Sequence, residues 1–315
     1  MVNTYSPAHS LFMTEPAAPA STAPPPAVRY PSPPPALRLL RAQLAVLQRL
    51  APGLAARLAW RVFTTPRPLP AKPWEAAALA GSELAWLPFE GGRLATYAWG
   101  PAGAPAVVLV HGWEHRASFW GAWVAPLRQA GYRVLALDGP AHGRSSGRQA
   151  HLLDYGGAVQ AAVNHAAQTG PVRAVVAHSF GAASAVGLPL APPPGQAQLP
   201  RLVLLSAPES PRAVAERFAA LLGLGPDQLR RMGARMQALA GRDPAELAVV
   251  AAGPRLPVEQ TLLIHDEHDA IVPYAEAEHI AAAWPAARLL TTRHLGHNRI
   301  LRDPAVVREA VEFLA

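Results

Sequence analysis

The chain has 315 residues, half of them apolar, 16% charged and none of them cysteine, which supports a large buried core and excludes disorder throughout, fibrous repeats, disulfides and thiol chemistry. The formal charge of +7 sits at one end: residues 1–81 carry eight basic and two acidic groups, a net of +6, whereas residues 82–315 carry 20 and 19, a net of +1. A nucleic-acid-binding protein usually wears its basic stripe on the folded body, so that class of partner is not expected. No apolar run reaches the roughly 18 residues that a membrane helix needs. The first twenty residues lack the basic start and apolar stretch of a secretory signal, and with no cysteine to oxidise, a cytoplasmic location is expected.

Residues 1–36 hold ten of the 35 prolines, mixed with Ala and Ser, and read as a disordered tail. Residues 37–81 form a basic helical extension. Leu37, Leu40, Leu44 and Leu47 recur at helical spacing, with Arg38, Arg41 and Arg49 on another side. Pro52-Gly53 separates this helix from a second, LAARLAWRVF. The leucine face is expected to pack on the main domain; contact with a membrane surface is the less favoured reading.

From residue 82 the pattern becomes α/β. ELAWLPFE and RLATYAWG, joined by Glu-Gly-Gly, read as a hairpin. AVVLVHGW, RVLALDGP, RAVVAHSFG, RLVLLSAP and TLLIHDEHD follow. Each is a nearly unbroken apolar run, as parallel strands covered on both faces require. Helical stretches at Ala117–Ala130, Asp154–Gln168 and Gly181–Leu188 alternate with them, giving a mostly parallel sheet wrapped by helices, with ligands at the carboxyl ends of its strands. Residues 209–258 break the rhythm with helical patterning alone and read as an inserted helical lid. Leu221, Leu222, Leu224, Met232 and Met236 are expected to give that lid an apolar surface facing the strand ends.

The sharpest chemical signal is Val175-Val176-Ala177-His178-Ser179-Phe180-Gly181. An apolar strand ends in small-x-Ser-x-Gly and runs into a helix of small residues, the pattern of a nucleophile elbow. Ala177 stands where glycine is usual, a difference of one methyl group. Ser179 would sit at a helix N-terminus, where free N–H groups favour developing negative charge. The plain alternative is a buried N-cap serine.

With this elbow, residues from about 82 onward resemble the α/β-hydrolase superfamily, and more closely a bacterial group of small uncharacterised hydrolases. The resemblance implies an α/β-hydrolase fold and a triad in the chain order Ser, acid, His. His111-Gly112-Trp113 resembles the family's oxyanion loop, which assigns the backbone N–H groups of Trp113 and Phe180 to the oxyanion hole. Asp138-Gly-Pro-Ala-His142-Gly-Arg-Ser145 is similar to a structural turn of the family. Leu263–Pro273 resembles the H-G-x-x-D-x-x-V-P segment and puts the acid at Asp269, with Asp266 and Glu209 as rivals. The histidine after glycine in Arg293-His294-Leu295-Gly296-His297 puts the base at His297, with His294 as alternative. The string HDEHD also contains types that ligate metals, but the strand-end pattern accounts for most of it, so neither metal nor cofactor is expected. His115 occupies a place where the bacterial group suggests glycine. The implied activity is hydrolysis of carboxylic esters or thioesters through Ser179, His297 and Asp269. Alternatives are a ligand-sensing protein with slow or no turnover, or C–C or amide hydrolysis by the same groups.

Overall fold

The apolar runs pair into one eight-stranded sheet in a computed structural model that describes residues 34–67, 70–188 and 190–315. The strands are β1 (Glu83–Phe89), β2 (Gly92–Trp99), β3 (Ala106–Val110), β4 (Arg133–Leu137), β5 (Val172–His178), β6 (Leu199–Leu205), β7 (Val258–Asp266) and β8 (Ala287–Thr292). Their order is β1-β2-β4-β3-β5-β6-β7-β8. The β1–β2 and β2–β4 pairs are antiparallel, and every pair from β4 to β8 is parallel. Strands β3 and β4 are buried along their whole length, which is why they read as unbroken apolar runs. Strand β8, ARLLTT, is not singled out by the sequence pattern. It lies at the sheet edge with only Ala287 buried, so it lacks that signature.

The helices are α1 (Pro35–Leu50), α2 (Pro52–Thr64), α3 (Pro73–Ala78), α4 (Gly121–Gln129), α5 (Leu152–Ala167) and α6 (Phe180–Gly187). After β6 come α7 (Pro211–Leu222), α8 (Pro226–Ala240), α9 (Val249–Ala252), α10 (Tyr274–Ala283), α11 (Gly296–Arg299) and α12 (Pro304–Leu314). The apolar side chains of α5, α6 and α10 join one core with Val108, Val110 and Leu204. Those of α4 and α12 join a second with Val107, Leu109 and Leu205. Odd and even positions of each strand thus feed opposite layers. Together these layers make the α/β-hydrolase fold. Among the described residues no helix is long and apolar enough to cross a membrane.

The proline-rich tail expected over 1–36 lies outside the described residues as far as residue 33. The helical extension docks on the main domain through its inserted helices. Leu44 is fully buried, as its place in the leucine row requires, but α1 and α2 bond to the inserted helices rather than to the strands. Arg41 Nε donates to the Leu221 carbonyl at 2.7 Å. The Gln48 amide donates to Gly223 O at 3.1 Å and accepts from Gly225 N at 2.7 Å. Phe63 packs on Phe218 with centroids 4.8 Å apart, and the Arg235 guanidinium lies 5.2 Å from the Trp60 ring centroid. Leu39, Val46 and Leu50 point to solvent.

The segment between β6 and β7 contains α7, α8, α9 and two 3-10 turns, with no strand. Ser210 caps α7 by accepting from Ala213 N at 3.1 Å, and Gly223, at φ 69°, ends it. The apolar residues of this segment do not all face the strand ends. Leu221 is half exposed, while Leu222, Met232 and Met236 are buried in the core that also holds Leu44 and Trp60. Docking of α1 and α2 has taken up the surface expected to line a pocket. The segment is tied to α10 by the Arg217–Glu276 ion pair, by Glu209 N donating to Glu276 Oε2 at 2.9 Å, and by Glu209 Oε2 with His279 Nδ1 at 2.6 Å.

Candidate active site

Strand β5 delivers Ser179 at its carboxyl end, and α6 starts at the next residue. The turn holds Ser179 at φ 53°, ψ −120°, a region that residues with a Cβ rarely occupy and that marks stored backbone strain. The neighbours explain the small residues around it. Ala177 is fully buried between β3 and β6, and its methyl group fits. A Cβ on Gly181 would lie 2.4 Å from the His111 carbonyl oxygen, so no side chain is tolerated there.

The loops after β7 and β8 bring the other two groups to Ser179. His297 Nε2 lies 2.9 Å from Ser179 Oγ, and His297 Nδ1 lies 2.7 Å from Asp269 Oδ2. Asp269 Oδ1 accepts from the N–H groups of Ile271 and Val272, both at 2.9 Å. Burial opposes ionisation of this carboxyl, but the His297 bond and charge and the two N–H donors outweigh it and hold it below the usual carboxylate range. A carboxylate at Nδ1 fixes the tautomer that leaves Nε2 free to accept the serine proton.

Phe180 is the first residue of α6, so its N–H has no carbonyl one turn earlier to bond. Trp113 follows Gly112, whose backbone lies so close to the elbow that a Cβ there would be 3.1 Å from Ser179 Cβ. The Trp113 and Phe180 rings meet edge to face with centroids 5.1 Å apart. The loop is clamped from several sides. His111 Nε2 accepts from Gly139 N at 2.9 Å, His142 Nε2 accepts from Glu114 N at 3.1 Å, and Asp138 accepts from Ala117 N and Arg144 N, both at 2.8 Å. Asp138 and His142 therefore serve the backbone, as the resemblance implies for that turn.

Residues 107–310 match the model of the alpha/beta hydrolase family. The chain belongs to that family. Solved structures that share the fold of this alpha/beta hydrolase include an esterase of Pyrococcus furiosus, 17% identical, with a TM-score of 0.58 over 79% of this chain and 98% of that one. A thermophilic esterase of Thermogutta terrifontis is 18% identical, with a TM-score of 0.56 over 75% and 94%. The thioesterase domain from the curacin biosynthetic pathway is 17% identical, with a TM-score of 0.52 over 74% and 99%. At such identities the likeness is one of fold.

The rival residues of this hydrolase have other partners. Asp266 is fully buried and accepts from His268 N at 2.9 Å, Thr292 Oγ1 at 2.8 Å and Leu295 N at 2.9 Å. Burial alone would raise its pKa, but the Gly296 N–H, then the Leu295, Thr292 and His268 donors, lower it. It holds the loop that carries His297. Glu209 pairs with His279. His294, at φ 64°, stacks on His268 with centroids 4.3 Å apart. The HDEHD side chains do not converge on one point: His265 Nε2 meets the Val272 carbonyl at 2.9 Å and lies 3.5 Å from Asp269 Oδ2, His268 Nδ1 lies 4.0 Å from Asp266 Oδ1, and Glu267 pairs with Arg293. Among the described residues no group of three His, Asp or Glu is arranged to hold a metal ion.

His115 neither faces solvent nor reaches Ser179. Its ring is stacked between Phe119 (4.1 Å, 15°) and His178 (5.4 Å, 2°). Burial, then the neighbouring His297, His142 and Arg302, lower its pKa to about 4. Sequence reasoning passed over His178, whose only signal is its place next to Ser179. Two surface grooves, of about 430 and 350 Å3, border α4, one against α12 and the other against α3. Neither is lined by Ser179, Asp269 or His297, and Ser179 itself is only 9% exposed.

Proposed function

We propose that this hydrolase cleaves carboxylic esters or thioesters through an acyl-enzyme on Ser179. The observation that carries the reading is the unbroken chain from Asp269 through His297 to Ser179, at 2.7 and 2.9 Å, ending on a serine in a strained elbow. The esterase and the thioesterase domain that share this fold are consistent with it.

In the first half-reaction Ser179 Oγ bonds to the substrate carbonyl carbon while its proton passes to His297 Nε2. Asp269 stabilises the imidazolium from the Nδ1 side. The carbonyl oxygen becomes an oxyanion facing the backbone N–H groups of Trp113 and Phe180, a term worth about 3–4 kcal/mol per donor where a side-chain donor has been removed from a protease. Collapse breaks the bond to the alcohol or thiol, which leaves with the proton from His297. Water then attacks the acyl carbon, gives its proton to His297, and the carboxylic acid departs as Ser179 is reprotonated. No step calls for a metal or cofactor.

The test is labelling with a fluorophosphonate probe, with p-nitrophenyl and thiophenyl esters as substrates. Ser179→Ala should abolish labelling and turnover while the far-UV spectrum is unchanged. Labelling of Ser179→Ala at the parent rate would overturn the assignment.

A further inference from the structure

His178 is fully buried, lies next to Ser179 in the chain, and is used by none of the steps above. Its Nε2 lies 2.9 Å from the backbone carbonyl oxygen of His297. A carbonyl can only accept, so Nε2 must carry the proton. The neutral ring then has a bare lone pair at Nδ1, and that atom has no hydrogen-bond partner. It faces the Gly112 backbone, where a Cβ would come within 2.9 Å. One edge of the ring is thus committed to His297 and the other is closed off by the oxyanion loop.

The carbonyl it grips is short of backbone partners. His297 lies in the four-residue helix α11, entered through His294 and Gly296, both at positive φ. The Leu301 N–H, which would reach the His297 carbonyl in a continuing helix, instead bonds Asn298 O at 3.4 Å. From the other side the loop hangs on Asp266 through Leu295 N.

We propose that His178 is a positioning residue, whose Nε2–H holds the His297 backbone and thereby sets the Ser179–His297 distance. Because His178 and Ser179 are consecutive, one rigid strand end fixes both the nucleophile and the base. The His297 ring packs on the His178 ring with centroids 4.7 Å apart, and the His115 ring stacks on His178 with centroids 5.4 Å apart. Phe119, His115, His178 and His297 therefore form one connected series of ring contacts ending at the base. Burial, together with the neighbouring His297 and His115, pushes the His178 pKa well down, in keeping with a neutral ring.

The inference rests on the proposed serine-hydrolase reading, and its test separates the two. His178→Leu removes the donor at similar volume, and His178→Gln keeps an N–H donor near the Nε2 position. Misplacement of a reacting group by about 1 Å costs about 100-fold in rate. His178→Leu is therefore expected to lower kcat by about 10- to 100-fold, leaving KM within about twofold, whereas His178→Gln recovers most of kcat. Parental kcat in His178→Leu, or equal impairment of both variants, would overturn the proposal. Should His178→Leu fail to fold, a tenfold or greater loss in a folded His178→Gln would overturn it. Long-range 1H–15N correlation in the unsubstituted protein reads the His178 tautomer without any turnover. Protonated Nε2 with bare Nδ1 supports the proposal, and the opposite tautomer sinks it even if no ester is cleaved. Absence of probe labelling and ester turnover in the unsubstituted protein would fault the hydrolase reading instead.

Discussion

Asp266 and Asp269 stand three residues apart with buried carboxylates, yet only Asp269 touches His297; Asp266 bonds Leu295 N, two residues before that histidine. The two aspartates are therefore expected to fail differently. Asp269→Asn should lower kcat by a factor on the scale of 10⁴, as when a triad aspartate is amidated elsewhere, with a modest change in Tm. Asp266→Asn loses part of an acceptor set that serves Thr292 Oγ1 and the N–H groups of His268, Leu295 and Gly296. Its main effect should be a stability loss of about 1–3 kcal/mol, read by chemical denaturation. If Asp266→Asn proves the catalytically dead variant and Asp269→Asn the unstable one, the acid has been misassigned.

The strain at Ser179 gives a second expectation. At φ 53° any side chain is disfavoured, so Ser179→Gly should be more stable than Ser179→Ala by about 1 kcal/mol, the strain relieved being only partly offset by glycine's greater freedom when unfolded. Both variants should be unreactive toward the probe. Thermal melts of the pair decide it, and a glycine variant less stable than the alanine one would count against stored strain.

Acid stability is the third. His115 has a folded pKa of about 4 against about 6.5 when unfolded. As pH falls the unfolded chain takes up the proton first, so this ring's contribution is complete above about pH 6.5. It is lost between about 6.5 and 4, and levels off below. The groups facing the ring are Glu114, Phe119, His142, His178, His297 and Arg302. The shift corresponds to at most about 3 kcal/mol. His115→Phe keeps a ring in the stack, so its unfolding free energy should fall less steeply over that window. Equal slopes for parent and variant would show that the His115 site does not titrate as described.

The fourth expectation concerns the extension. Trp60 is 6% exposed and lies under Arg235, so Trp60→Ala should cost about 3–5 kcal/mol. Deleting residues 1–70 should lower Tm further by uncovering Phe218 and the buried methionines of α8. Sedimentation with anionic liposomes provides the contrary outcome. Salt-sensitive binding by the full chain, together with a deletion variant as stable as the parent, would mean that the extension serves a lipid surface.

Much of the architecture is legible in the sequence because parallel strands buried on both faces leave unmistakable apolar runs, as in β3, β4 and β5. Strand β8 escapes because an edge strand is buried only in part. Ser179 is legible from its strand–turn–helix setting, and Asp269 and His297 from the resemblance of their loops to the family's motifs; the structure brings all three within hydrogen-bond reach. Two things were not legible. The donor role of His178 depends on the distance from its ring to a backbone carbonyl 119 residues away, which no local pattern encodes. The leucine row of α1 announces that it packs but not on what, since apolar periodicity has no address. That row meets the inserted helices, which in turn buries Met232 and Met236 that sequence alone leaves available for a pocket.

The bonds from α1 to the end of α7 also set a timetable for synthesis. Arg41 and Leu221 are 180 residues apart in the chain, and Gln48 and Gly223 are 175 apart. A ribosome adding about 5–20 residues per second would take about 9–36 s to supply the partners after α1 has emerged. Through that interval the leucine row of α1 has neither α7 nor α8 to cover it, so this helix is where a chaperone that shields nascent apolar segments would have the longest opportunity to bind.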